Sequence, residues 1–181
     1  MIAGTYRLSR DEYRAAKNKA ELLRGDSKNK KHKEKWGLDP KDGDERQLFG
    51  ALGEEAYGAF HGLPVHEGTG RHKMPDVGEV HVRASRQKPS DTNPRRLYLV
   101  NDDVEGWYGY VSWDKLPDMT IHLGFYYDGD WDRLDTSWKQ SPRPGGLLAY
   151  IPHELLEHKL PPSVCSCSSC RGEILMQDPN S

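Results

Sequence analysis

The sequence has no apolar run of about 18 residues and no charged-then-apolar leader after Met1, so we expect neither a membrane span nor a secretory signal. It also has no internal repeat. Apolar residues are scarce, at 35% of the 181 positions, whereas 30% of the residues are charged. This composition favours one compact core with polar extensions over two full domains.

Cysteine is confined to one short cluster, since Cys165, Cys167 and Cys170 are the three cysteines of the chain. An odd number of cysteines so close together is a poor disulfide framework, which favours a reducing, cytoplasmic location. The three thiolates with His158 or His153 would match the ligands of tetrahedral Zn²⁺. The tight CxC spacing and the lack of a second CxxC leave a Ser- and Cys-rich tail as the alternative.

Charge is unevenly distributed, although the net charge is only -2. Residues 1–42 carry 12 Lys and Arg against 7 Asp and Glu, residues 71–96 carry 7 against 3, and residues 97–160 carry 5 against 11. Basic segments beside a polar strand can follow a phosphate backbone, so they indicate a nucleic-acid partner, DNA rather than RNA. The alternative is a solvated surface of mixed sign.

Two helices are expected in the first third of the chain. Ser9 and Glu12 fit a capping box that opens the first helix, and Gly25 is its expected stop. The second helix is expected over 44–60 and is ended by Gly62. The expected organisation is an N-terminal helix in 1–25, a charged linker over 26–43, a core domain over 44–160 and a Cys-containing tail over 161–181.

After the second helix the apolar pattern changes to period two or to short apolar runs, which predict strands. The candidate strands are 63–67, 79–85, 95–101, 107–113 and 119–127, and 147–158 is expected to be a last strand running into a short helix. Helices followed by strands and a short helix predict an α+β (α/β-like) fold with a mixed central sheet flanked by helices.

Polar residues lie at the entry to the candidate strand 79–85 and along it. Asp76 precedes the strand, and alternate residues Glu79, His81 and Arg83 share one of its faces. A carboxylate at a strand end beside a second ligand fits a divalent cation, because hard cations need oxygen donors close together. Such a cation would activate water against a phosphodiester. The alternative is a polar strand face in solvent.

Three short motifs lie in order along this segment. They are GxxGExA at Gly50, Gly53, Glu54 and Ala56, PDxG at Pro75, Asp76 and Gly78, and VR with a following hydroxyl residue at Val82, Arg83 and Ser85. In these motifs the chain resembles the PD-(D/E)XK nuclease-like superfamily, and most closely a group of uncharacterised phage and bacterial proteins. The resemblance covers roughly residues 46–158 and leaves both ends outside.

The resemblance implies a restriction-endonuclease-like core and a phage-encoded, metal-dependent nuclease that hydrolyses phosphodiester bonds in a bacterial cytoplasm. Asp76 matches the aspartate that holds the metal, and Glu54 matches the helix glutamate that completes the metal shell. His81 falls at the position of the second acid, and Arg83 at the position of the lysine. These four residues are therefore the expected catalytic set, with Mg²⁺ or Mn²⁺ as the cofactor.

The chain departs from the family pattern at two positions, because His-Val-Arg replaces Glu-X-Lys. The imidazole of His81 suits Mg²⁺ poorly and moves the preference toward Mn²⁺. Arg83 is a poor base because its pKa stays above about 12, but it can hold a phosphate with two parallel hydrogen bonds. Glu79 shares the strand face with His81 and would supply the missing carboxylate.

The helix glutamate has two candidates. The motif selects Glu54, whereas the apolar stripe of the helix places Glu55 at its border and Glu54 nearly opposite. This stripe consists of Phe49, Leu52, Ala56 and Phe60. Both glutamates are therefore candidate metal ligands beside Asp76, Glu79 and His81.

Two other functions stay open from the sequence. The missing acid favours a catalytically inactive, nuclease-derived module that binds DNA or a host protein, as a phage counter-defence or regulatory factor. A host protein would meet the acidic, aromatic region 102–135. A zinc-stabilised structural protein is the third interpretation. A homodimer stays open beside a monomer, and no membrane partner is expected.

Overall fold

The computed structural model of the chain describes residues 2–29, 40–66, 74–86, 97–143 and 146–156. The expected Cys-containing tail and the middle of the expected linker lie outside the described residues, as do the zinc-ligand candidates Cys165, Cys167, Cys170 and His158.

Two α-helices precede most of the seven strands in the described part of the chain. The elements are β1 Ile2–Arg7, α1 Arg10–Asn29, α2 Pro40–His61, β2 Val80–Arg86, β3 Leu97–Val100, β4 Gly106–Trp113, β5 Asp118–Tyr127, β6 Lys139–Arg143 and β7 Gly146–Ile151. Short 3-10 helices occur at Trp131–Arg133, Thr136–Trp138 and His153–Leu155. This content confirms the expected α+β class.

The described strands form two sheets. The larger sheet has the order β1-β5-β4-β2, in which β2 and β4 are parallel and the other neighbours are antiparallel. The smaller sheet has the order β3-β7-β6 and is antiparallel. Helices α1 and α2 cover one face of the larger sheet, and the smaller sheet lies against its other face. The expected mixed sheet is therefore present, with a second sheet as an additional layer.

Two apolar cores fill the spaces between these three layers. The core between the helices and the larger sheet contains Ala16, Ala20, Leu52, Ala56, Val80, Val82, Val111 and Ile121. The core between the two sheets contains Leu97, Leu99, Tyr108, Tyr110, Tyr127, Ala149 and Ile151. Strand β4 supplies residues to both cores, because successive side chains of a strand point to opposite faces.

Helix α1 begins as the sequence predicts but ends later. The backbone N–H of Ser9 donates to Glu12 Oε2 (2.6 Å) and that of Glu12 donates to Ser9 Oγ (3.2 Å), which confirms the capping box. The helix continues past Gly25 to Asn29, so the expected stop is wrong. A glycine ends a helix when it takes a left-handed conformation, and within a helix it costs only about 1 kcal/mol.

Helix α2 begins at Pro40, before the expected start at residue 44. Proline suits the first helical position, where its missing N–H has no helical partner. Gly62 follows the helix with a φ of 68° and confirms the expected stop. The expected linker over 26–43 is therefore too long at both ends, because the two helices extend into it. No helix in the described ranges is both long and apolar enough to cross a membrane.

The strand pattern differs from expectation at three places. The described part of the candidate strand 63–67 is not a strand, since Val65 forms only an isolated bridge with Val77. Pro64 lacks the N–H that a ladder needs. The sequence pattern does not predict β1 or β6, because their segments IAGTYR and KQSPR lack a clear alternation. Both strands end their sheets, where polar residues are tolerated.

The close approach of α2 to β4 depends on Gly109. A Cβ atom at this position would lie 2.6 Å from the ring of Tyr57, which is fully buried. Helix α2 can therefore pack an aromatic side chain directly on the β4 backbone because glycine occupies that point. By contrast, a Cβ atom at Gly50 of α2 would meet no atom of the described residues within 4 Å.

We predict that Gly109→Ala destabilises the protein by about 1–3 kcal/mol, because the added methyl group forces Tyr57 to move. Gly50→Ala is the matched control and should stabilise the helix by up to about 1 kcal/mol. Urea unfolding followed by circular dichroism measures both free energies of unfolding. Equal effects of the two substitutions would contradict the close contact between Tyr57 and β4.

Candidate functional site

Strand β2 ends the larger sheet, and the segment before it folds back over the open edge of the strand. Three hydrogen bonds hold Asp76 there. Its N–H donates to Val80 O (3.0 Å), its Oδ2 accepts from Val82 N (2.8 Å), and its carbonyl oxygen accepts from His66 N (2.9 Å). The Asp76 carboxylate satisfies a backbone N–H at a sheet edge, so it is fixed at the entry to β2.

The side chains of β2 alternate between two enclosed faces. Val80 and Val82 face the helices, whereas His81 and Arg83 contact aromatic rings of the smaller-sheet side. The polar face that the sequence predicts is therefore present, but it lies between two sheets rather than in solvent. Glu79 does not share this face, because it is exposed in the turn that precedes the strand.

Glu54 of α2 forms an ion pair with Lys19 of α1. Lys19 Nζ lies 2.5 Å from Glu54 Oε2, and the two side chains are 12% and 14% exposed. This contact is an ion pair, since Oε2 accepts no hydrogen bond of ordinary geometry from the described residues. Lys19 Nζ also donates to the carbonyl oxygen of His66 (2.5 Å). Burial and the charge of Asp76 raise the pKa of Glu54, and Lys19 opposes them.

The two helix glutamates Glu54 and Glu55 both interact with Lys19 of α1. Periodicity places Glu54 on the solvent side of α2, and this expectation is wrong because α1 packs against α2 and brings Lys19 to it. Glu55 is half-buried on the side of α2 that meets α1. Burial raises the pKa of Glu55, Lys19 opposes this change, and Glu12 adds to it.

His81 is packed as an aromatic ring. It is 4% exposed and stacks on Tyr108, with ring centroids 4.9 Å apart and an angle of 19° between the ring planes. Burial lowers the pKa of His81, Asp76 opposes this change, and Arg83 adds to it. The imidazole is therefore neutral at neutral pH.

Arg83 is held between the two sheets. Its Nη2 lies 2.6 Å from Asp103 Oδ1, and Asp103 Oδ2 also accepts from Val100 N (2.9 Å). The guanidinium carbon lies 5.1 Å from the ring centroid of Tyr108 and 5.9 Å from that of Tyr98. Burial lowers the pKa of Arg83, but the charge of Asp103 and the neighbouring phenols outweigh it and raise the pKa. Arg83 is thus a permanent cation whose charge is matched inside the fold.

The expected metal ligands are not gathered into one cluster in the described part of the chain. Those ligands are Glu54, Glu55, Asp76, Glu79 and His81. Within the described ranges, no group of three or more His, Cys, Asp or Glu side chains is close enough to hold a metal ion. The charges of Glu54 and Asp76 influence each other, but Lys19 already neutralises Glu54. The residues present therefore fit an internal ion pair better than a hydrated metal ion.

Sequence reasoning missed two charged residues of the site, Lys19 and Asp103. Lys19 lies beside the buried alanines Ala16 and Ala20 of α1, and a lysine at the border of an apolar stripe is a signal for a buried counter-ion. Asp103 carries no such signal. It pairs with a residue 20 positions earlier in the chain, and this pairing depends on how the two sheets pack.

No protein-family model matches the chain, and no curated protein and no solved structure matches it. The resemblance to the PD-(D/E)XK nuclease-like superfamily therefore stays a prediction.

We predict that Asp103→Asn destabilises the protein by about 3 kcal/mol or more, because it leaves the buried Arg83 without an opposite charge. The control is Asp128→Asn, which breaks an exposed pair with Arg133 and should cost less than about 1 kcal/mol. Chemical unfolding measures both effects. If Asp103→Asn costs as little as the control, the buried charge of Arg83 does not depend on Asp103.

We also predict a pH dependence that belongs to Glu54. Its pKa in the folded state lies above the ordinary value of 4.5, so the folded protein keeps this proton to higher pH than the unfolded chain. The stabilisation that comes from this retained proton is therefore full below pH 4.5 and is lost as the pH rises through the raised pKa.

The free energy of unfolding of the wild type, minus that of Glu54→Gln, should fall across this pH window. Urea titrations at a series of pH values measure the difference between the two proteins. A difference that stays constant or rises with pH would contradict the raised pKa.

Proposed function

We propose that the chain is a nuclease-like protein that binds nucleic acid without cleaving it. The observation that supports this proposal is the α1 cation row, which consists of the exposed residues Arg10, Arg14 and Lys17. At 3.6 residues per turn these positions share one side of the helix, and they span about 10 Å. Duplex DNA carries one charge per about 1.7 Å of its axis, so a row of this length meets several phosphates.

The α1 cation row is turned away from the core. Ala16 and Ala20 are buried on another side of the same helix, which fixes the orientation of the row. Arg14 Nη1 lies 3.5 Å from Asp11 Oδ1, but both side chains are highly exposed. An exposed pair of this kind contributes little, so a phosphate can replace the aspartate.

The groups around β2 support binding better than hydrolysis. Lys19 neutralises Glu54, which is the helix carboxylate that the family resemblance assigns to the metal. Arg83, which that resemblance places on the scissile phosphate, is paired with Asp103 between the sheets. A phosphodiester or its metal ion would therefore find Glu54 and Arg83 already paired within the protein.

Metal-dependent hydrolysis of phosphodiester bonds is the second candidate function. One observation favours it, because the charge of Asp76 acts on both Glu54 and His81. Glu54 and His81, two of the four residues in the expected catalytic set, thus lie within electrostatic range of a third, Asp76. The two candidates differ in whether bound DNA is cut.

The test uses a fluorescein-labelled DNA duplex and a single strand of the same length, with binding followed by anisotropy between about 50 and 200 mM salt. The double variant Arg14→Ala/Lys17→Ala should weaken binding and lower the slope of log K against log salt by about 2. The control variant Lys115→Ala/Arg133→Ala removes two exposed cations outside α1 and should leave the slope unchanged.

The same protein is then incubated with plasmid and with single-stranded DNA in Mg²⁺ or Mn²⁺. The proposal predicts that both substrates stay intact. Cleavage that disappears in Asp76→Ala would instead establish the second candidate. Failure to bind either oligonucleotide at low salt, or equal slopes for the Arg14→Ala/Lys17→Ala and control variants, would refute the binding proposal.

A further inference from the structure

Lys19 extends from α1 toward the end of the site that contains the carboxylates of Glu54 and Asp76. Its ammonium lies 2.5 Å from Glu54 Oε2 and 2.5 Å from the carbonyl oxygen of His66. Only 12% of its side chain is exposed. The ammonium has therefore exchanged most of its hydration for oxygen atoms of the protein.

The oxygens near this ammonium come from separate parts of the chain. Glu54 is on α2, and His66 is on the segment that follows the helix. Asp76 is attached to that segment by the hydrogen bond from His66 N to Asp76 O (2.9 Å), and its charge acts on Glu54. Carboxylate and carbonyl oxygens held together in this way are the donors that hard cations take.

The charges explain why a cation is needed at this point. Glu54 and Asp76 are two carboxylates within electrostatic range, and Glu54 is largely removed from water. Repulsion and lost hydration would destabilise the pair unless a positive charge compensates it. A calcium-type cation takes six or more ligands, and the described residues bring together no cluster of three His, Cys, Asp or Glu side chains. An ammonium has three donors and needs fewer partners.

We propose that Lys19 is a built-in replacement for a divalent cation, with its ammonium at the position beside Glu54 and the Asp76 segment where a metal ion would otherwise bind. The wild-type site is then complete without a metal and does not respond to Mg²⁺ or Mn²⁺. The role of the Lys19 ammonium does not depend on nucleic-acid binding, so the two proposals are tested separately.

The test is Mn²⁺ binding to the full chain, followed by the electron paramagnetic resonance signal of unbound Mn²⁺. Lys19→Met removes the charge and keeps most of the side-chain volume. It should create one Mn²⁺ site per chain that is at least about tenfold tighter than any binding by the wild type, which is the scale of an ordinary coupling between two ligands. The double variant Lys19→Met/Glu54→Gln should lose the new site.

The control is Lys17→Met, which changes an exposed lysine on the same helix and should leave Mn²⁺ binding at the wild-type level. Two results would overturn the proposal. In the first, the wild type binds Mn²⁺ as tightly as Lys19→Met does, and Asp76→Asn abolishes this binding. The metal ion would then bind beside the lysine, and the lysine would not replace it. Absence of Mn²⁺ binding by Lys19→Met would mean that these carboxylates form no cation site.

Thermal unfolding keeps the test decisive if Lys19→Met is unstable. A ligand that binds only the folded state stabilises it, so Mn²⁺ should raise the melting temperature of the variant and not that of the wild type. Lys19→Gln keeps an N–H donor for the His66 carbonyl and should behave in the same way with a smaller loss of stability. Failure of Mn²⁺ to stabilise either variant would count against the proposal.

Discussion

The ion pair between Lys19 and Glu54 joins α1 to α2 at the end of the site that contains the carboxylates of Glu54 and Asp76. A charge that is moved out of water is costly unless an opposite charge and hydrogen bonds replace its hydration. Removing one partner of such a pair costs about 3–5 kcal/mol, which is a large share of the stability of a small domain. The position of α1 on the fold is therefore tied to the position of Glu54. Since α2 packs directly on the larger sheet, the pair also fixes α1 relative to β2.

The same requirement accounts for the opposite face of β2. Arg83 is enclosed between the sheets because Asp103 matches its charge and the Tyr98 and Tyr108 rings cover its guanidinium. A polar strand can thus be buried on both sides when each charged group finds its partner nearby. Glu54 and Arg83 are therefore each paired with an opposite charge from within the protein. This pairing is the reason for proposing binding rather than hydrolysis.

Local chemistry made part of the fold predictable from the sequence. The Ser9 and Glu12 capping box, the stop at Gly62 and the strands β4 and β5 all depend on neighbouring residues, and each is present. Prediction failed where distant packing decides. The periodicity of α2 does not indicate that α1 covers its outer side. The sequence around Asp103 does not indicate that this residue pairs with Arg83. The motif placed Glu54, Asp76 and His81 around β2, but it gave no indication that Lys19 would lie among them.

A crystal structure of the wild-type chain grown in Mn²⁺, with anomalous diffraction data, tests most directly whether the site is neutralised by its own lysine. The account predicts no anomalous peak beside Glu54 or Asp76, with Lys19 Nζ in contact with Glu54 Oε2. A peak that bridges the two carboxylates, with the lysine turned away, would contradict it.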